Sequence, residues 1–351
     1  MARNGSVNDS RKDGHGRSLA PRAWRRIGIA AYSVVMARRM SSWKQSAKRI
    51  VRPTLSETTR QLHARLRRYL KEDLAEAGDV TSQAMIPPKQ QAVAHVGARS
   101  DGIVSGILVV RHLLAVAAPR VRCRVHVQDG HPCRAGQRVL TLRGSLRDML
   151  KIERIMLNLL GRMSGVATAT AALVKQTHGT RARIRDTRKT TPGLRALEKY
   201  AVVCGGGVSH RHGLHDAFLA KDNHLAGITP TRLAAQISAA VSRARRCSTL
   251  AFTMAEVDSE TQFRALLTLP KGTLDSVLLD NMKPPLMKRL VRLRNQQAPF
   301  LQLEASGGVT LRTVRAIART GVDFISVGSI THSAPQLDFG LDMQRVKVSR
   351  P

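Results

Sequence analysis

Between Leu55 and Leu70 the apolar residues recur at helical spacing, predicting an amphipathic helix that runs out in Lys71-Glu72-Asp73-Leu74 before a turn at Gly78-Asp79. Residues 91 to 146 alternate instead and carry glycines. The runs Ala92 to Val96, Gly102 to Gly106, Val121 to Val127 and Val139 to Leu142 read as short strands and turns, hence an α+β layer. At Leu146 the texture changes again. Met149, Ile152, Met156, Leu159, Leu160 and Met163 make one apolar stripe of a long helix, and Arg154, Asn158 and Arg162 share a polar face that reads as solvated.

Beyond residue 180 a strand-then-helix rhythm sets in. Strands are predicted at Ala182 to Arg185, Ala217 to Ala220, Leu250 to Ala255, Ser276 to Leu279, Leu301 to Leu303 and Phe324 to Val327, with starts 23 to 35 residues apart. That interval holds a strand plus a crossover helix, so the strands are parallel. Each stops in polar or glycine residues: Asp186 to Lys189, Lys221 to His224, Glu256, Asp280-Asn281, Glu304 to Gly308, and Gly328-Ser329. Six such ends point to a (β/α) barrel with a site on its carboxyl rim.

Length and charge sharpen this picture. The 351 residues allow about two domains. The formal net charge is +34, of which residues 1–53 contribute thirteen Lys/Arg against Asp9 and Asp13. Aromatics are only 3% and zinc or single-strand-binding motifs are lacking, so a nucleic-acid partner is disfavoured. The apolar run Ile27 to Ala37 is too short to span a bilayer, which argues against a membrane role, and residues 1–53 are expected to be a disordered or weakly helical basic extension. Cys123, Cys133, Cys204 and Cys247 show no CxxC spacing, so free thiols in a reducing, cytoplasmic setting are expected.

The rim residues suggest a ligand. Arg188, Lys189, His210, Arg211 and Lys221 would repel one another in a shared cavity unless an anion offsets them. Ser306-Gly307-Gly308 and Gly328-Ser329 precede helical segments, where backbone N–H groups hold phosphate. Glu256 and Asp280 could bind Mg²⁺ together with substrate phosphates, grip ribose hydroxyls, or pair with Lys189 or Lys221. His224 reads as a loop histidine bonded to backbone.

The run Asp186-Thr187-Arg188-Lys189-Thr190-Thr191-Pro192-Gly193, continuing through Glu198-Lys199-Tyr200 and Cys204-Gly205-Gly206-Gly207 to His210-Arg211 and Lys221-Asp222-Asn223-His224, closely resembles quinolinate phosphoribosyltransferases. Glu72-Asp73-Leu74 with Gly78-Asp79, Glu153-Arg154 with Asn158, Leu279-Asp280-Asn281 and Thr331-His332-Ser333 extend the likeness over residues 55 to 345. The resemblance implies a type II phosphoribosyltransferase: an N-terminal α+β open-faced layer domain over 54–147, an incomplete (β/α) barrel over 148–333, and residues 334–351 returning to the first domain. It further implies Mg²⁺ and a homodimer or higher homo-oligomer with shared active sites. The reaction it implies joins quinolinate to phosphoribosyl pyrophosphate, giving nicotinate mononucleotide, pyrophosphate and CO₂ on the route to NAD.

By the same resemblance Arg154 is lent by the partner subunit, and Arg188, His210 and Arg211 hold the quinolinate carboxylates. Lys189 and Lys221 face the anionic groups, and Glu256 and Asp280 lie near ribose and metal. Ser306, Gly307, Gly308, Gly328, Ser329 and His332 cradle the 5′-phosphate, with Thr187 and Val327 completing the binding residues. Val203, Ser209 and Met254 depart from the family's usual Arg, Asn and acid. A different pyridine-like acceptor, or an inactive relative binding polyanions, are the alternatives.

Overall fold

The computed structural model describes residues 55–344, so the extension predicted over 1–53 lies outside the described residues. Its first part runs α1 (Thr59–Leu74), α2 (Val80–Met85), β1 (Gln91–Ala98), β2 (Gly102–Ile103), α3 (Ile107–Ala117), β3 (Arg122–Val125), β4 (Pro132–Cys133), β5 (Arg138–Ser145) and the 31-residue α4 (Leu146–Gln176). Helix α1 starts in a capping box, with the Thr58 hydroxyl accepting from Gln61 N and Gln61 returning the bond. In β1, Ala92, Ala94, Val96 and Ala98 are buried while the alternate residues face outward, the signature of a sheet covered on one side.

Helix α3 departs from the strand-and-turn reading of its region. Its sequence, Ile107 to Ala117, is apolar except for Arg111 and His112, so no period is visible, and three of its turns are buried against α1 and α4. The Asp129 carboxylate supplies its N-terminal cap by accepting from the backbone N–H of Ile107 and Leu108.

The second part runs β6 (Arg183–Arg185), α5 (Arg195–Cys204), β7 (Phe218–Ala220), α6 (Asp222–Leu225), α7 (Pro230–Cys247), β8 (Thr253–Val257), α8 (Glu260–Leu267), β9 (Ser276–Asp280), α9 (Pro284–Gln297), β10 (Gln302–Ser306), α10 (Val314–Ala318), β11 (Phe324–Ser326), α11 (Ser329–His332) and β12 (Phe339–Gln344). Six parallel strands lie in the order β6-β11-β10-β9-β8-β7. The first strand therefore sits beside the last, as in a barrel. Among the described residues the ladder is interrupted between β6 and β7, where an isolated bridge joins Arg185 to Val208, and the barrel is incomplete.

Strand β12 leaves the barrel and pairs antiparallel with β1, completing a sheet of order β12-β1-β5-β3. Helix α4 bridges the two parts, packing on β5 and β1 and also on α5 and β6. By length and composition α4 could cross a membrane, but two-thirds of its most apolar stretch is buried within the fold, as expected of a core helix.

Candidate active site

The carboxyl ends of the barrel strands surround a hollow of about 690 Å³. Its wall holds Thr187, Arg188 and Lys189 after β6, His210 and Arg211 before β7, Lys221 after it, Glu256 of β8, Asp280 of β9, Ser306, Gly307 and Gly308 after β10, and Val327, Gly328, Ser329 and His332 after β11. Leu219 and Leu278 form an apolar floor. Arg154 alone of the predicted site residues stands elsewhere, exposed on α4 with its guanidinium 3.9 Å from Glu153.

Two guanidiniums at the mouth are under-partnered. Arg211 is 7% exposed, and among the described residues its guanidinium finds only the Ala217 carbonyl, at 3.4 Å. The Nε of Arg188 is buried with no hydrogen-bond partner among the described residues. Burial, and then the neighbouring Arg188 charge, hold Arg211 below the usual arginine range. Leaving such donors unsatisfied costs about 1–3 kcal/mol each, more when charged, which an anionic ligand would offset.

A buried network fixes this edge from below. Lys199, itself 2% exposed, donates to Asp186 at 2.5 Å and to the His210 carbonyl at 3.1 Å, and Asp186 accepts from His210 N at 2.8 Å. Glu304, fully buried, binds Arg185 at 2.7 Å, accepts from the Ser326 hydroxyl, and stands 3.5 Å from His210 Nε2. Arg185 in turn lies over the Phe324 ring, 3.6 Å from its centroid.

His210 Nδ1 accepts the Arg211 backbone N–H at 2.7 Å, which leaves Nε2 to carry the proton. Burial foremost, then Arg185, Lys199 and Arg211, push its pKa down to about 3. It is a neutral donor at neutral pH. Asp216 ties down the adjoining loop. Although burial opposes its charge, the backbone N–H groups of His212 and Gly213 hold its carboxyl below the usual range.

Directly after β7, Lys221 pairs with Glu256 of the neighbouring β8, one of the partnerships the sequence allowed. His224 Nδ1 accepts the Lys221 N–H at 3.0 Å, so it is bonded to backbone as expected, although it lies in the short helix α6 rather than a loop. The Asp280 carboxylate accepts from Asn281 Nδ2 at 2.7 Å. Asn281 sits in the left-handed region, φ 52°, with its own N–H on the Ser306 carbonyl. Gly307, φ 91°, lies so close that a Cβ would collide with the Asn281 side chain. A Cβ on Gly328 would meet Lys189 Cδ at 2.9 Å.

Glu256 and Asp280 offer hard oxygen donors beside this glycine cradle. No cluster of three or more metal-ligating side chains occurs among the described residues, a donor set that fits Mg²⁺ held jointly with phosphate oxygens rather than in an all-protein cage.

Arg162 corrects the reading of the α4 polar face. Arg154 and Asn158 are exposed, but Arg162 turns inward, binding buried Glu198 at 2.6 Å, the Ala334 carbonyl at 3.1 Å and the Thr331 carbonyl. Glu198 also accepts from Thr191 N and Oγ1. One arginine thus clamps the loop after β6 to the loop after β11.

Family models match the chain over nearly all of this structure: the quinolinate phosphoribosyl transferase N-terminal domain over residues 79–164 and its C-terminal domain over residues 166–342. The chain belongs to the quinolinate phosphoribosyltransferase family. It is 42% identical over 282 residues to a nicotinate-nucleotide pyrophosphorylase [carboxylating] of Mycobacterium leprae, covering 79% of this chain and 95% of that relative. It is 36% identical over 283 residues to a probable enzyme of the same name from Bacillus subtilis, covering 81% and 93%. The NadC structure from Streptococcus pyogenes superposes with a TM-score of 0.73 at 31% identity, covering 83% of this chain and 100% of that one.

Two of this member's unusual residues are absorbed locally. Met254 is fully buried with Leu219 and Leu278 against Phe252, extending the apolar floor where the family usually has an acid. Ser209 donates to Asp186 and so joins the network below His210. Half-buried Val203 lies on α5, and nothing in the structure explains its replacement of arginine.

Asp186, Asn281, Glu304 and Lys199 stood in the strand ends or the family-like run without an assigned role, and Arg185 and Ser326 were not marked as site residues. Asp186, Lys199 and Glu304 were visible as charges within or beside apolar runs, a signal of paired burial.

Proposed function

We propose that the chain transfers the phosphoribosyl group of phosphoribosyl pyrophosphate to the ring nitrogen of quinolinate, releasing pyrophosphate and CO₂ and forming nicotinate mononucleotide for NAD biosynthesis. The observation that carries this reading is the pair of under-partnered guanidiniums, Arg188 and Arg211, facing one apolar-floored hollow with a glycine cradle on its far side. A flat ring bearing two carboxylates suits the first edge. A sugar phosphate suits the second.

Arg188, Arg211 and neutral His210 orient the ring by its carboxylates, with the pyridine nitrogen turned toward the sugar. The backbone N–H groups around Ser306 to Gly308 and Gly328-Ser329 bind the 5′-phosphate, and Glu256 and Asp280 approach the ribose. Lys189 and Lys221 offset charge on the departing oxygens as the bond from C1 to pyrophosphate breaks. Mg²⁺ held by Glu256, Asp280 and substrate phosphate oxygens would neutralise further charge on that leaving group.

The ring nitrogen's lone pair forms the new bond to C1, leaving a pyridinium. Its positive charge accepts the electron pair of the adjacent carbon–carboxylate bond as CO₂ departs, and the ring carbon then takes up a proton. An organic cofactor is not required by this electron count.

We further assign exposed Arg154 to the mouth of a second copy's barrel, completing that copy's quinolinate contacts in a dimer. Quinolinate and nicotinate titrations test the reading. Quinolinate is expected to bind at least about tenfold more tightly, as a second charge-assisted contact of about 1.5–3 kcal/mol requires. Equal affinity would support an acceptor with a single carboxylate instead.

A further inference from the structure

The outer face of the sheet β12-β1-β5-β3 carries an unneutralised group of arginines, none of which lines the hollow at the barrel mouth. A hollow of about 580 Å³ there is lined by His95, Arg122, Arg124, His126, Arg138 and Arg143. Arg122 stands directly opposite Arg143 across the β3–β5 pair, and Arg124 is opposite Thr141. Like charges directly opposed on one face destabilise a sheet. Among the described residues none of these four guanidiniums has a carboxylate partner. The hollow's single acid, Asp342, lies 3.5 Å from Arg99 instead.

The floor beneath them is ordered. His95 Nε2 lies 3.3 Å from the Gln344 amide oxygen, which makes it the donor and leaves Nδ1 to accept from the Thr141 hydroxyl at 3.1 Å. The Thr141 oxygen then accepts from His126 Nε2 at 2.8 Å. Burial, followed by the Arg124 and Arg138 charges, lowers the pKa of His126, which lines the same hollow.

We propose that this face binds small ligands bearing two or more linked phosphate groups, as a second anion site separate from the active site. Alternate positions on one strand are about 6.7 Å apart and opposed positions about 5 Å, so Arg122, Arg124 and Arg143 spread over more than one phosphate can bridge. The lining has no Phe, Tyr or Trp, and both of its histidine rings are engaged with Thr141, so the phosphate chain rather than a base is what the arginines are set to recognise. The chain's own flanks do not supply the missing charge. Residues 1–53 hold thirteen Lys/Arg and two acids, and residues 345–351 add Arg345, Lys347 and Arg350 with no acid.

Inorganic triphosphate titrated into the full chain tests the site, with the NMR titration of the His126 ring as the local readout. Triphosphate is expected to raise the His126 pKa in the natural protein, because the bound anion reverses the repulsion from Arg124 and Arg138. The double variant Arg122→Gln, Arg143→Gln should lose this shift and bind triphosphate at this face at least about tenfold more weakly. Its transferase activity should be unchanged, and its melting temperature in phosphate-free buffer no lower, since the opposed charges are gone. Orthophosphate should shift His126 at least about tenfold less readily than triphosphate. A His126 resonance unmoved by triphosphate overturns the proposal, as does an equal response to orthophosphate. Tighter binding of a single-stranded oligonucleotide, abolished in the same variant, would overturn it in favour of a nucleic-acid surface.

Discussion

Lowering the pH should unfold this protein partly through one buried ring. His210 titrates near 6.5 in an unfolded chain, and burial with Arg185, Lys199 and Arg211 around it lowers that value to about 3 in the native state. Between those values the unfolded state binds the extra proton, so stability is intact above pH 6.5 and falls as the pH drops toward 3. Each pH unit below 6.5 costs about 1.4 kcal/mol, hence about 2.7 kcal/mol by about pH 4.5. Replacing His210 by Gln removes this titration while keeping an amide able to hydrogen-bond. Urea unfolding of both proteins at pH 6.5 and about pH 4.5 measures the difference. The natural protein should lose about 2.3 kcal/mol more than the variant over that interval, because about 0.4 kcal/mol is already lost at pH 6.5. Equal losses would refute the assignment of His210 as a ring buried neutral.

Four further outcomes follow from the site. Arg211→Ala should raise the quinolinate KM by about tenfold to a hundredfold, the worth of a charge-assisted contact, with a smaller change in the KM for phosphoribosyl pyrophosphate; steady-state kinetics in both substrates separate the two. Glu256→Ala should show the opposite split, and it should also weaken any Mg²⁺ dependence. Gly307→Ala places a side chain against Asn281 in a left-handed turn, and should cost on the order of 1–3 kcal/mol in stability together with 5′-phosphate affinity. Mixing inactive Arg154→Ala and Lys221→Ala chains should restore part of the activity, and failure to complement would contradict a site shared between copies.

The barrel was legible because its strands are short apolar runs that end in charge. The run starting at Ser276 becomes β9, Ser276–Asp280, and the run starting at Phe324 becomes β11, Phe324–Ser326. Helix α3 was not, since Ile107 to Ala117 is apolar apart from the adjacent Arg111 and His112, too few polar positions to set a period. The ligand-facing residues were legible from their clustering at strand ends and their family pattern, but their supports were not. Arg162 shares a helical face with exposed Arg154 and Asn158, and only the closure of two loops over it makes it a clamp. Glu304 lies one strand position inside the rim, where ring closure of the sheet surrounds it with Arg185, Ser326 and His210. Such partners are far apart in sequence, so their pairing is a property of the folded barrel alone.

The most direct measurement of the central claim is the fate of quinolinate labelled in the carboxylate next to the ring nitrogen, incubated with phosphoribosyl pyrophosphate and Mg²⁺. Labelled CO₂ should appear in equal amount with nicotinate mononucleotide and pyrophosphate, and only when phosphoribosyl pyrophosphate is present. Labelled quinolinate left intact, or a nucleotide that keeps both carboxylates, would contradict the account.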